Sequence, residues 1–401
     1  MRSLVLAATF ACFLAVGSIA QTPPIPFDHL HRHLAPQSDV HQAEPSPVVT
    51  LPVAGFKMLS QSTGWAIVND RILWTTNNGK SWNDISLSVP NPPDPQESKF
   101  FDVQFRDAQN GWLTYHIAPN DDTHSGVFLA KTVDSGATWQ TVSELPNPYL
   151  PPYSPGDIEV ASISFADNMH GWADIGGFEG FRLYLTSDGG RTWLRAKGDP
   201  GGSFAIVALT ARDAFFFGGT RLEPASLLVT HDAGQTISEV TLPNPPEISA
   251  TYWPTNSLPE FTTTRDGYEV VNYRGPLGSK SAAVVFATHN GGRSWSFDRL
   301  VSDLDEDEKL DSGVAESAWI IPFSYDGSTP WLFNVSSNDR KAAPVSETGH
   351  HLRSCKASFL TINEGWVYCL GTLYSTTDGG STWSNITPRA RNGVLTTDSL
   401  T

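Results

Sequence analysis

An all-β fold built from repeated four-stranded units is what this sequence predicts, and three observations carry the prediction. An eight-residue pattern, Thr-x-(Asp/Asn)-x-Gly-x-(Ser/Thr)-Trp, occupies 75–82, 132–139, 186–193, 230–237, 288–295 and 376–383, with Ile237 replacing the last Trp of its copy. Short apolar runs of strand composition surround each copy, and a Gly-Trp pair often opens one of them, as at Gly171-Trp172 and Gly365-Trp366. The second glycines, Gly79, Gly136, Gly190, Gly234, Gly292 and Gly380, are separated by 57, 54, 44, 58 and 88 residues, the last gap being twice 44. Repeats of about 40–50 residues with four short strands and periodic Gly and aromatic signals are the sequence form of β-propeller blades. The expected architecture is a single propeller of seven four-stranded blades, six with the repeated turn and one degenerate. Six blades with an inserted hairpin is the alternative.

Each unit reads in order as an apolar strand, a polar turn, an aromatic-headed second strand, a third strand, the repeated turn, and a Trp-headed fourth strand. The second-strand aromatics are Trp65, Trp112, Trp172, Phe215, Tyr268, Trp331 and Trp366. The degenerate unit falls in the long gap, where residues 318–323 read as a strand and Pro330-Trp331 stands where Gly-Trp is expected. Residues 46–53 are a candidate outer strand for the last blade.

The repeated turn has a mechanical logic. The side chains of Asn77, Asp134, Asp188, Asp232, Asn290 and Asp378 can accept from backbone N–H groups just ahead of them, and the glycine supplies the positive φ of a tight turn. The hydroxyl residue adds a local bond, and the Trp is placed to bury a large ring at the next strand. Six copies argue for a fold device rather than six catalytic acids.

The N-terminus carries Arg2, an apolar run over 4–16, then Ser18 and Ala20, the pattern of a cleavable secretory signal over 1–20. Export to a periplasmic or extracellular compartment follows. A proline-rich linker is expected over 21–47, the propeller over 48–390 and a C-terminal tail over 391–401. The apolar run is short for a membrane span, and no other stretch approaches one, so membrane insertion is not expected. His29, His31 and His33 sit in the linker without a scaffold, which favours chance clustering over a metal site. Once Cys12 leaves with the signal, Cys355 and Cys369 remain, on two strands joined by the turn 361–364 and nearly opposite one another. A disulfide stapling that hairpin is the expectation.

With 42 acidic against 26 basic residues, the net charge of −16 disfavours nucleic acid and anionic membranes as partners. The acids of 303–311 match no EF-hand order, so a solvated loop is favoured over a calcium site. Neither a cofactor nor a metal is called for, and the chain is expected to be a monomer.

The copies at 186–193 (TSDGGRTW) and 376–383 (TTDGGSTW), with their preceding Gly-Trp pairs, resemble the Asp-box, or bacterial-neuraminidase-type, repeat. The Gly-Trp plus TxDGGxTW combination looks most like the photosystem II assembly and stability factor type of propeller. That resemblance implies a propeller over about residues 54 to 387 and a non-catalytic role in holding a partner. Sialidases, xyloglucan-degrading hydrolases and sortilin-like receptors share the motif, so it specifies fold rather than task.

Neither a paired acid and nucleophile nor an arginine triad is visible. Arg182, in Phe181-Arg182-Leu183, lies on a third strand, and Arg191 and Arg293 fill variable slots of the repeated turn. A secreted glycosidase of sialidase or xyloglucanase type is the alternative. The connections from one fourth strand to the next first strand are more promising. Three start alike, Val89-Pro90-Asn91-Pro92, Leu145-Pro146-Asn147-Pro148 and Leu242-Pro243-Asn244-Pro245, on the face opposite the repeated turns. They carry Tyr149, Tyr153, Tyr252 and Trp253, which either cap the propeller or form a contact surface for a protein or glycan partner.

Overall fold

The computed structural model describes residues 49–50 and 53–396, apart from 69, 90–99, 118–125, 149–157, 159, 178–179, 199–204, 219–225, 246, 250, 277–278, 305–308, 313–318, 324–330, 335–338, 343–355, 362, 370–371 and 392–393. The expected signal and linker, together with Tyr149, Tyr153 and Cys355, lie outside the described residues. All regular structure among the described residues is strand.

After β1 (Val49–Thr50), successive antiparallel sheets follow the chain. The first is β2 (Val53–Met58), β3 (Gly64–Val68), β4 (Arg71–Thr75) and β5 (Asn83–Asp84). The second is β6 (Phe100–Phe105), β7 (Gly111–Ile117), β8 (Gly126–Thr132) and β9 (Gln140–Glu144). The third is β10 (Val160–Phe165), β11 (Gly171–Gly177), β12 (Gly180–Thr186) and β13 (Leu194–Arg195). The fourth is β14 (Ile206–Ala208), β15 (Ala214–Gly218), β16 (Ser226–Thr230) and β17 (Ser238–Glu239). The fifth contains β18 (Trp253–Asn256), β19 (Glu260–Phe261), β20 (Gly267–Arg274), β21 (Ser281–Thr288) and β22 (Ser296–Leu304). Next come β23 (Lys309–Ser312), β24 (Trp319–Phe323), β25 (Trp331–Asn334) and β26 (Asp339–Ala342). The last sheet is β27 (Lys356–Phe359), β28 (Gly365–Cys369), β29 (Thr372–Thr376) and β30 (Ser384–Asn385). The chain then forms β31 (Arg389–Arg391) and β32 (Val394–Thr396).

The fold is a single all-β propeller of antiparallel sheets. Among the described residues six sheets have four strands, as in the alternative of six blades rather than the seven first expected, and the sheet that is fifth in chain order has five. Its extra strand comes from a break. β18 and β19 pair with the same partner, β20, at Asn256↔Val271 and Glu260↔Tyr268. Pro259, with no N–H for a ladder, stands at the interruption.

The degenerate unit differs from expectation by one strand. Trp331 opens β25, the third strand of its sheet, rather than the second, because Lys309–Ser312 supplies a strand before β24. Part of the acidic stretch read as a solvated loop therefore belongs to strands: Asp303 falls at an irregularity within β22, and Asp311 in β23 is paired with Ile321.

Among the described residues of 46–53, none joins the last blade as an outer strand. Val49 and Thr50 pair with Ala390 and Arg389, forming a separate three-stranded sheet with β32. The ring closes by packing of the first sheet on the last. Trp82 Nε1 donates to the Ile386 carbonyl at 3.0 Å, and Trp366 Nε1 donates to Asn78 Oδ1 at 2.6 Å. The Trp82 and Trp366 rings meet edge to face with centroids 5.7 Å apart.

One arrangement recurs at the seams between sheets. The Phe that ends a sheet's first strand packs on the second-strand aromatic of the preceding sheet and on the turn tryptophan of its own sheet. The sets are Trp65, Phe105 and Trp139; Trp112, Phe165 and Trp193; and Phe215, Phe261 and Trp295. Trp112 and Phe165 stack at 4.2 Å. Each such ring removes about 150–250 Å² from water, so these sets dominate seam burial. The third-to-fourth seam is the exception that accounts for Ile237. There Trp172 is buried in a cluster against which Ala208 and Ile237 pack, in the places of the Phe and the Trp.

Candidate functional site

The repeated turns use up their own chemistry. In all six, the second glycine's N–H donates to the Thr hydroxyl at 2.8–3.0 Å. The following Ser or Thr N–H donates to the Asp or Asn Oδ1 at 2.8–3.0 Å. Where the residue is Asp, its Oδ2 also accepts from the Thr hydroxyl, at 2.6–2.7 Å. For Asp232 and Asp378 the Thr236 and Thr382 hydroxyls and N–H groups hold the pKa at about 2. For Asp188 the slight burial works upward, but the bonds from Thr192 and Thr186 outweigh it and the value is again about 2. Such carboxylates are poor proton donors near neutral pH.

The arginines do not assemble either. Arg182 Nη1 donates to the Phe181 carbonyl at 2.7 Å, and Arg191 Nη1 to the Asp188 carbonyl at 2.9 Å. Arg293 bonds the Asn290 carbonyl and, across a seam, Asp213 Oδ1 at 2.8 Å. Asp213 also receives His231 Nδ1 at 2.7 Å and the Thr210 hydroxyl at 2.6 Å, so this carboxylate ties the fourth sheet to the fifth. Burial raises its pKa, and these partners together bring it below the ordinary value. Among the described residues, no three His, Cys, Asp or Glu side chains are grouped to hold a metal ion.

On the rim carrying the long connections, Trp253 is 62% exposed and Tyr252 half-buried. Trp253 is not on a loop. It is the first residue of β18, paired opposite Arg274. Immediately before it, the Tyr252 N–H donates to the Ser249 carbonyl at 3.0 Å, and the Ser249 and Thr251 hydroxyls lie 3.0 Å apart. An indole fixed on a paired strand loses little entropy on binding, which suits it to recognition. The leucines that begin two of the connections are anchors, Leu145 being buried and Leu242 packed on a core cluster.

A second feature, missed by sequence reasoning, is a cavity of about 770 Å³ lined by the first strands of six sheets. Its polar lining includes Lys57, Asp102, Gln104, Ser164, Glu260 and Ser358. Burial pushes the Asp102 carboxyl up, against bonds from the Ile163 N–H at 2.9 Å and the Ser162 hydroxyl at 3.1 Å. The available signal was the polar residue standing just before the aromatic in Gln104-Phe105, Ser164-Phe165, Glu260-Phe261 and Ser358-Phe359.

No protein-family model matches this chain, and no curated protein matches it in sequence. Among solved structures it is similar to a puromycin-hydrolyzing peptidase of Mycobacterium tuberculosis, with a TM-score of 0.52, 10% identity, and coverage of 86% of this chain and 55% of that one. It is more loosely similar to a GH74 enzyme of Niastella koreensis, with a TM-score of 0.37, 14% identity, and coverage of 83% and 59%. A GH74 xyloglucanase from Xanthomonas campestris gives a TM-score of 0.38, 10% identity, and coverage of 85% and 69%. The chain spans 55–69% of the length of these proteins. At such identities the peptidase likeness speaks to fold alone, and the GH74 superpositions are too loose to carry an argument.

Proposed function

We propose that this protein is an exported, non-catalytic propeller that holds a protein partner, or a glycan, through the face carrying the long connections. The observation that carries the reading is Trp253, a large indole left 62% exposed on a paired strand, with Tyr252 beside it. Buried aromatic anchors dominate binding energy at interfaces, and an exposed one on a rigid element is a natural starting point for one. The use of each turn carboxylate within its own turn, and the engagement of Arg182, Arg191 and Arg293 with different partners, also favour binding over hydrolysis. The repeated turn makes an Asp-box propeller of the photosystem II assembly factor type the preferred relative, with Tyr149 and Tyr153 as further contact residues. Export goes with a Cys355–Cys369 disulfide, which peptide mapping without reduction would detect as one linked pair.

The test compares the wild-type chain with the double variant Tyr252→Ala, Trp253→Ala, after thermal melts show both to be folded. Exported-protein extracts and a glycan array are probed with each, and sialosides and xyloglucan are offered as substrates. Partner or glycan capture by the wild type alone, with no sugar released, supports the scaffold. Release of sugar would replace it with the secreted glycoside hydrolase, and equal capture by both proteins would remove Tyr252 and Trp253 from the site.

A further inference from the structure

The first strand of each sheet pairs with its second strand on one edge and turns its other edge toward the cavity and the neighbouring sheet. That free edge carries backbone N–H groups that need acceptors. At three seams, a side chain from the preceding sheet supplies one. Ser358 Oγ receives the Met58 N–H at 3.1 Å, Gln104 Oε1 receives the Phe165 N–H at 2.7 Å, and Ser164 Oγ receives the Ala208 N–H at 2.9 Å. The three acceptors are equivalent positions. Each stands one residue before the end of its strand and opposite the second-strand aromatic, Ser358↔Trp366, Gln104↔Trp112 and Ser164↔Trp172.

In the first sheet that position is Lys57, opposite Trp65. An ammonium has three donors and no acceptor. The N–H that it faces by the same rule belongs to Phe105. Arg106 N–H donates to the Asn110 carbonyl at 3.0 Å, so the adjacent pair Phe105↔Gly111 is a non-hydrogen-bonded one and the Phe105 N–H points off the ladder. Phe165, whose neighbour Ala166 donates to the His170 carbonyl at 3.0 Å, has the same orientation and is received by Gln104. Among the described residues nothing accepts from the Phe105 N–H or from the Lys57 ammonium. At this seam an unspent backbone donor and an unspent cation therefore line one cavity.

We infer that the cavity binds a small carboxylate, one oxygen taking the Phe105 N–H and the other the Lys57 ammonium. The ligand takes the part that Gln104, Ser164 and Ser358 play at their seams. A single negative charge suits the site better than a phosphate dianion, because Asp102 lies on the same strand as Phe105 and the chain carries a net charge of −16. At about 770 Å³ the cavity is in the range of small-molecule sites, and Phe56, Ile163 and Ala357 give it apolar wall for a hydrocarbon tail. The inference is independent of the rim surface proposed above.

Phenylacetate is the probe, with 2-phenylethanol as its uncharged counterpart and inorganic phosphate as the alternative anion. Titrations of the full chain are followed by amide resonances and by calorimetry. The expected result is a saturable phenylacetate shift at the Phe105 amide, little response to the alcohol, and phosphate the weaker anion. Lys57→Gln should weaken phenylacetate by roughly 10- to 100-fold, the scale of one charge-assisted hydrogen bond. The same variant should raise the melting temperature, because glutamine restores the missing acceptor. Lys57→Arg should bind within a few fold of the wild type, which separates loss of the cation from damage to the fold. The inference is overturned by the absence of a saturable shift in the wild type, by equal binding of the alcohol, by preference for phosphate, or by unchanged affinity in Lys57→Gln.

Discussion

Trp82 and Ile386 stand 304 residues apart in the chain, yet the Trp82 indole N–H donates to the Ile386 carbonyl at 3.0 Å. Gly79, three residues earlier, packs so closely on the same side chain that an added Cβ would lie 2.5 Å from the Ile386 Cβ. This contact joins the first sheet to the last without a connecting segment between them. Trp82→Phe, which keeps most of the buried ring and removes the donor, should cost about 1 kcal/mol. Trp82→Ala should cost about 3–5 kcal/mol through the cavity it leaves. Urea denaturation measures both, and a Trp82→Ala protein as stable as the wild type would show that the ring does not depend on this seam.

The residue before each second glycine also lies in the left-handed region: Asn78 at 57°, Ser135 at 64°, Gly189 at 74°, Ala233 at 61°, Gly291 at 73° and Gly379 at 67°. Alanine is the least suited of these, since it lacks the polar group with which Asn or Ser can bond locally. Ala233→Gly should therefore stabilise the protein by about 0.5–1 kcal/mol, the left-handed penalty exceeding the extra chain entropy of glycine. Gly234→Ala should do the reverse and more strongly. At φ 70° its Cβ would stand 2.7 Å from that of Ala196. Melting temperatures that moved in the opposite sense would refute the reading of this turn.

The turn aspartates set an acid limit. Asp188, Asp232 and Asp378 have folded pKa values of about 2, below the ordinary carboxylate value of 3.8. A carboxylate with a depressed pKa contributes stability that is present above about 3.8 and is lost as pH falls toward and through about 2. Asn77 and Asn290 hold the same geometry without titrating, their Nδ2 groups donating to Ser81 and Ser294 at 2.8 and 2.7 Å. The triple variant Asp188→Asn, Asp232→Asn, Asp378→Asn should thus lose less stability between pH 4 and pH 2 than the wild type. Parallel acid-unfolding curves would count against the turns as its source.

Glu269 has the opposite character. It is fully buried on β20, opposite Phe286 on β21, and burial pushes its pKa well above the ordinary range, with the Ser257 N–H opposing only in part. The folded chain retains this proton while the unfolded chain releases it above pH 4.5. Its contribution is therefore most favourable below about pH 4.5 and declines as pH rises through the folded pKa. Glu269→Leu should be more stable than the wild type at pH 8, by an amount that shrinks toward pH 4. A variant less stable than the wild type at pH 8 would show that the carboxyl group has a partner worth more than its burial costs.

The six turns were legible because everything they need lies within eight residues: a hydroxyl, a carboxylate or amide, and a glycine that admits positive φ. The second-strand aromatics were legible for the same local reason. What stayed hidden depends on residues far apart in sequence. Trp331 takes its strand position from Lys309–Ser312, a segment whose charge reads as solvent-exposed. The pairing of Val49 and Thr50 with β31 joins residues from opposite ends of the repeat region. The cavity lining was spelled out in the pairs ending each first strand, but it takes on meaning only when one sheet's side chain is set against the next sheet's N–H. Trp253 was visible as an aromatic near a rim, while its place on a strand depends on β20.

Ala208 and Ile237 replace the usual Phe and Trp at one and the same seam, and both pack on the cluster that buries Trp172. The two positions belong to the first strand and the turn of the fourth unit, but the cluster that constrains them also contains Leu183 and Ala196 of the third. Restoring Phe at 208 alone, or Trp at 237 alone, adds a ring to a packed cluster, so the substitutions are epistatic. The unit of packing at this joint is therefore neither blade alone but the space between them, shared by two neighbours.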